Sequence, residues 1–196
     1  MFKFLVFLAR LLYLPLFRIK VEGLENVKDA KGGIFYANHR SNNDPVVISV
    51  ITGLRFKVMA KSELFKIRIF NPVLRWIGAY PVYRGTGDFG AVDTAVDALK
   101  NGENFLLFPE GTRNDEGGLL RFMPGLASVA LRTGAPLYMV AFSGKLGMFR
   151  KTTIRFFPKQ DISEFTDKTE PTMKNILETS RALHDRLEKA LGEFDA

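Results

Sequence analysis

Residues 33–50 read GIFYANHRSNNDPVVISV: an apolar run, a polar loop and a second apolar run. Positions 33–37 have the apolar and aromatic character of a short buried strand. Arg40-Ser41-Asn42-Asn43 is a run of turn formers. Asp44-Pro45 ahead of Val46, Val47, Ile48 and Val50 reads as an N-cap, a proline at the first helical position, and then helix. Strand, loop and helix in succession is the repeating unit of an α/β protein, and the rest of the chain repeats it. Strands are predicted over 33–37, 54–60, 79–83, 104–108, 136–142 and 152–157. Between them, Phe89, Val92, Val96 and Leu99 recur at three- and four-residue steps, and Leu126, Val129, Ala130 and Leu131 follow the same logic less cleanly. Ile176, Leu177, Leu183, Leu187 and Leu191 mark a C-terminal amphipathic helix, with His184 on its solvated side. The expected fold class is α/β, a layered sheet of mostly parallel strands flanked by helices, with its site in the loops at strand ends.

Composition fits one compact domain. The chain has 196 residues, 46% of them apolar, with no internal repeat, low-complexity tract or linker. Zero cysteines exclude disulfides and thiolate metal sites, and two histidines argue against a His-rich metal site. A net charge of +7 favours anionic surfaces, either lipid headgroups or nucleic acid. The positive charge is spread along the chain and no nucleic-acid motif accompanies it, so nucleic acid is not an expected partner.

The loop at 38–45 has the residues of a base. On a continuous helix His39 and Asp44 would lie about 140° apart around the axis. The turn formers between them allow Asp44 to fold back, and a carboxylate on one imidazole nitrogen fixes the tautomer and leaves the other to take a proton. The competing reading is that Asp44 only caps its helix and His39 is a satisfied polar residue at a strand end. A second motif bears on the choice. The apolar run 104–108 delivers Pro109-Glu110-Gly111-Thr112-Arg113, a tight loop whose amides and guanidinium make an anion site.

NHRSNNDP at 38–45 resembles the NHxxxxD motif, and FPEGTRN at 108–114 the FPEGTR motif, of the glycerophosphate and lysophosphatidate acyltransferases. GAYPVYRG at 78–85 and TGAPLYMVAF at 133–142 are similar to two further segments of that family, in the same order. The resemblance implies an O-acyltransferase that moves a fatty acyl chain from an acyl thioester, on acyl carrier protein or coenzyme A, to the free hydroxyl of 1-acyl-sn-glycerol 3-phosphate. It implies no cofactor beyond that co-substrate and no metal. It places His39 as the base, Asp44 as its orienting partner, and Lys61, Arg84, Glu110, Gly111, Thr112 and Arg113 around the acceptor. Met123 follows Phe122 where the family often has a lysine. Alternatives are acylation of another lysolipid or of glycerol 3-phosphate, a non-catalytic lipid-binding protein, and an NAD(P)-dependent enzyme. The last is suggested by GTGDFG at 85–90. The acidic residue expected about twenty positions beyond that fingerprint is not placed for it, and an easy strand-to-helix turn accounts for the glycines.

The first twenty residues, MFKFLVFLARLLYLPLFRIK, have four basic and no acidic residues. Lys3, Arg10 and Arg18 fall on one helical stripe, Arg10 interrupts the apolar run and Pro15 weakens its second half. No small-x-small cleavage site follows, as a signal peptide would require. The expectation is an amphipathic segment at 1–20 lying in an anionic phospholipid surface and an acyltransferase domain over 21–196, with a weakly hydrophobic spanning anchor and a helix packed on the core as the alternatives for the segment. The protein is then expected on the cytoplasmic face of the cell membrane, peripheral or monotopic. Trp76, Phe65, Phe70 and Leu74 form an aromatic cluster read as core or as an acyl groove.

Overall fold

The computed structural model describes residues 10–11, 17–66, 68, 70–76, 78–82, 89–114, 116–144, 146–147 and 150–194. Seven strands form one sheet in the order β1-β7-β6-β2-β5-β3-β4. They are β1 (Ile19–Glu22), β2 (Ile34–Ala37), β3 (Phe56–Lys61), β4 (Ala79–Val82), β5 (Asn104–Leu107), β6 (Leu137–Ser143) and β7 (Thr152–Phe156). Five run parallel in the block β6-β2-β5-β3-β4, while β7 pairs antiparallel with β6 and carries β1 parallel to itself at the edge. The expected mostly parallel α/β sheet is therefore present. The six expected strands are all found, each shifted by no more than two residues at its start and one at its end. β1 is unforeseen: Ile19 and Lys20, counted with the N-terminal segment on sequence, already pair with Thr152 and Thr153. Its four residues IKVE offer too short a pattern to separate from the basic apolar stretch before them.

Alternation along the central strands builds a core on each face, because successive side chains point to opposite sides. Ile34 and Tyr36 join Phe105, Leu137 and Met139 beneath three helices: α3 (Phe89–Lys100), α4 (Gly125–Thr133) and α5 (Met173–Gly192). Phe35 and Ala37 join Phe56, Leu106, Val140 and Phe142 beneath α1 (Asp44–Thr52), with Leu74 of α2 (Phe70–Trp76) against the same core. Phe65 also packs there, so that part of the aromatic cluster is core; the side chains of Phe70 and Trp76 lie outside the described parts. Burying both faces explains why the central strands are continuous apolar runs. Pro81 sits in β4, which ends the sheet and has one strand neighbour only, where a missing N–H is tolerated.

The topology positions the site. β2 and β5 are neighbours, yet the chain leaves β2 for α1 on one face and leaves β5 for α4 on the other. Adjacent strands whose connections diverge leave a crevice beyond their C-terminal ends, and both motifs fall there. The N-terminal segment is described at Arg10, Leu11 and from Phe17 onward, and the expected interfacial helix over 1–20 otherwise lies outside the described residues. Among the described residues no helix is long and apolar enough to cross a membrane. His184 departs from its expected solvated position: its side chain is 19% exposed and its ring meets Phe122 edge-on at 5.2 Å.

Gly78 turns the chain from α2 into β4 at φ 84°, and a Cβ there would sit 2.0 Å from the Phe56 carbonyl oxygen of β3. Gly78→Ala combines a left-handed backbone with a clash against a paired strand. The expected cost is about 2–4 kcal/mol, read as a lowered urea midpoint with an unchanged slope.

Candidate active site

Asp44 is fully buried, yet its carboxylate is not a helix cap. Asn43 occupies the N-cap position and makes no side-chain capping bond, and Asp44 instead turns back over the loop that precedes it. Its Oδ2 accepts from the Arg40 and Ser41 amides at 2.7 Å each and from His39 Nδ1 at 2.9 Å. The Asp44 amide donates to the Ser41 carbonyl at 3.1 Å, which closes the turn. Of the two readings left open by the sequence, the fold-back is the one adopted. Oδ1 is buried and has no partner among the described residues. A carboxylate can only accept, so Nδ1 carries the proton and Nε2 is the basic nitrogen. His39 is 18% exposed at its side chain, and among the described residues Nε2 has no hydrogen-bond partner. The imidazole also stacks on Phe108, 4.1 Å between centroids and 20° from parallel.

Three contacts join the two motifs. The His39 amide donates to Glu110 Oε1 at 2.7 Å, the Asn114 amide donates to the His39 carbonyl at 2.9 Å, and Phe108 supplies the stacking face. Glu110 is buried, and its other oxygen accepts from the Leu120 amide at 2.9 Å. The resemblance placed Glu110 with the acceptor. In the structure both its oxygens hold backbone, one in each motif's loop, which makes it a bridge that fixes where His39 sits.

The loop around Gly111 is tight and open to solvent. Gly111 has φ 69°, its amide donates to the Phe108 carbonyl at 3.0 Å, and a Cβ would come within 3.2 Å of the Met123 side chain. Thr112 and Arg113 are exposed, and Arg113 immediately precedes the residue whose amide holds His39. A guanidinium fork on this loop is chemically able to hold a phosphate while an imidazole takes the proton of a neighbouring hydroxyl. Lys61 is the last residue of β3, with its side chain outside the described parts, and Arg84 and Tyr83 lie outside the described residues. GTGDFG at 85–90 is described only from Phe89, where α3 opens.

Two supporting residues were given no role on sequence. Asn38 is buried and clamps β2 to β6 in both directions: its Nδ2 donates to the Phe142 carbonyl at 3.0 Å and its Oδ1 accepts from the Phe142 amide at 2.8 Å. Asn114 Nδ2 donates to the Gly117 carbonyl at 2.8 Å and its Oδ1 accepts from the Glu116 amide at 3.1 Å, fixing the turn after Arg113. The signal available for each was its place, a polar residue at the border of a quoted motif. Across the sheet from α1, an apolar cleft of about 360 Å³ lies between α3 and α4, lined by Met59, Val92, Ala95, Phe105 and Leu107 and bounded by Met123 beside the Gly111 loop.

A family model described as Acyltransferase matches residues 18–143, from β1 through β6 and therefore through both motifs. The chain belongs to the acyltransferase family. Among its relatives, the 1-acyl-sn-glycerol-3-phosphate acyltransferase of Bacillus subtilis is 26% identical over 181 residues, which is 90% of each chain. The protein of the same name from Haemophilus influenzae is 29% identical over 194 residues, 92% of this chain and 78% of its own. A chloroplastic one from Arabidopsis thaliana is 30% identical over 133 residues, 66% of this chain but 37% of the plant protein. The crystal structure of the 1-acyl-sn-glycerophosphate acyltransferase PlsC of Thermotoga maritima superimposes with a TM-score of 0.78 at 24% identity, over 100% of this chain and 80% of that one. That likeness is one of fold.

Replacing Asp44 by Asn keeps the shape of the side chain but removes its charge, and it puts a donor where an acceptor faced the loop if the amide is turned. The acyltransferase carrying Asp44→Asn is expected to lose about 10²–10⁴-fold in kcat. Glu110→Gln sets an amide against two backbone N–H groups and is expected to lower unfolding free energy by about 1–3 kcal/mol together with kcat. Parallel kinetics and thermal melts separate the two cases.

Proposed function

We propose that this acyltransferase moves a fatty acyl chain from a thioester to the free hydroxyl of 1-acyl-sn-glycerol 3-phosphate, giving phosphatidate. The observation that carries the reading is His39, oriented by Asp44 and pinned by amide contacts to the loop that presents Arg113. It is supported by relatives of that name, one of them matched over 90% of both chains. His39 Nε2 takes the proton of the acceptor hydroxyl as its oxygen attacks the thioester carbonyl. The carbonyl carbon gains the C–O bond and releases the C–S bond, and the proton passes from His39 to the departing thiolate. No covalent enzyme intermediate is needed. Arg113, with Lys61 and Arg84, holds the acceptor phosphate, Gly111 and Thr112 bring loop amides near the developing oxyanion, and Glu110 keeps the loop and His39 in register. The apolar cleft beside Met123 is chemically suited to an alkyl chain. Acyl carrier protein and coenzyme A both supply the required thioester.

We place the protein at the cytoplasmic face of the cell membrane as a peripheral or monotopic enzyme, with its basic, apolar N-terminal segment in the anionic lipid surface. Acceptor and product are both membrane lipids, and a net charge of +7 adds attraction for anionic headgroups.

The test is a radiolabelled transfer panel crossing acyl carrier protein and coenzyme A thioesters with lysophosphatidate, glycerol 3-phosphate and neutral lysolipids. Lysophosphatidate should be the preferred acceptor. His39→Ala should lose about 10²–10⁴-fold in rate with an unchanged melting temperature, and near wild-type transfer by that variant would sink the mechanism. Arg113→Ala removes a charge-assisted contact of about 1.5–3 kcal/mol, so KM for lysophosphatidate should rise by about 10–150-fold while neutral acceptors are unaffected.

A further inference from the structure

Arg10 stands in the middle of the apolar N-terminal run, where a charged side chain facing lipid would be costly. The sequence groups it with Lys3 and Arg18 on one basic stripe. The structure turns it toward the protein. Its Nε donates to the Val50 carbonyl at 2.7 Å and its Nη2 to the Ile51 carbonyl, and a Cβ on Gly53 would lie 3.6 Å from that same Nη2.

Those carbonyls belong to the end of α1, where the last four C=O groups lack partners within the helix. Ser49 is satisfied by the Gly53 amide at 2.9 Å, in a left-handed turn with φ 71°. The carbonyls of Val50 and Ile51 come next, and the guanidinium fork takes both. Such a cation at a helix C-terminus also meets the negative end of the macrodipole. The other end of the same nine-residue helix carries Asp44 and, through it, His39. One short rigid rod, about 13 Å long, therefore has the reacting dyad at its start and the N-terminal segment fastened to its finish.

We infer that Arg10 is a positioning residue: it clips the membrane-lying N-terminal segment to the helix that carries Asp44 and so fixes the dyad at the depth where a bilayer-held acceptor presents its hydroxyl. The inference rests on the proposed reading that this segment lies in a lipid surface. A clip of this kind does not enter the chemistry. It matters when the acceptor cannot come to the enzyme, and it is immaterial when the acceptor is dissolved in water.

The experiment compares wild type, Arg10→Met and Arg10→Lys on two acceptors with one donor. The first is a long-chain 1-acyl-glycerol 3-phosphate held in vesicles of phosphatidylcholine with a minor share of phosphatidylglycerol, and the second is a short-chain, water-soluble analogue. Arg10→Met should lose about tenfold in kcat on the vesicle-held acceptor and stay within about twofold on the soluble one, with vesicle sedimentation also within about twofold. Arg10→Lys, which keeps the charge but not the fork, should fall between. Equal losses on both acceptors would show a general defect and overturn the inference, as would no loss on either. Lost sedimentation as the main change would make Arg10 a headgroup contact instead, and that too overturns it. Amide exchange over 44–54 in the same proteins keeps the clip testable apart from the reaction. Faster exchange in Arg10→Met supports it and unchanged exchange refutes it, whereas a wild type that acylates neither acceptor refutes the proposed function.

Discussion

A buried carboxylate must be given donors, and Asp44 obtains three of them by folding the chain around itself. A charge with no exposure to water costs several kcal/mol unless it is hydrogen-bonded, so the loop at 38–43 has little freedom to take another course. Two of the donors are backbone amides, which belong to any sequence, and the third is an imidazole nitrogen, which does not. The two amides anchor the carboxylate independently of the histidine. The imidazole is then held by a group that would stay in place without it. Pre-organisation of this kind lets a base act without first reordering its surroundings.

The second carboxylate extends the same device between loops. Glu110 receives one amide from the His39 loop and one from the Leu120 stretch, so the residues that flank the guanidinium of Arg113 are tied at both ends. Asn38 does the equivalent between strands, joining β2 to β6 beyond the point where their regular pairing reaches Ala37 and Val140. The result is a rigid floor of backbone bonds under an open mouth. The exposed groups, Thr112, Arg113 and Met123, stand on that floor, which is the arrangement expected of a scaffold that holds still while its rim meets a partner.

Much of this is legible in the sequence. Strands 34–37, 104–107 and 137–143 are buried on both faces, so their apolar runs are long enough to stand out, and Asp44-Pro45 announces the helix that follows. The His39 to Asp44 contact was legible because turn formers fill the gap. β1 was not, since IKVE gains its strand character only from Thr152–Phe156, far along the chain. The bridge made by Glu110 was not legible either, because a sequence records a carboxylate and not the amides around it. The contact of Arg10 was hidden for the same reason: its partners are two carbonyls about forty positions away. Local pattern finds elements. It does not find what long side chains do to backbone at a distance.

The edge formed by β1 and β7 sets the order in which the protein can be completed. β1 precedes the whole central block in sequence and its partner strand begins at Thr152, so the sheet cannot close on that side until β7 has been made. The block β6-β2-β5-β3-β4 can assemble sooner, since all of it lies upstream of residue 144. During synthesis β1 therefore has nothing to pair with while the central block assembles. The lowest-numbered strand is thus the last to find its place in the sheet.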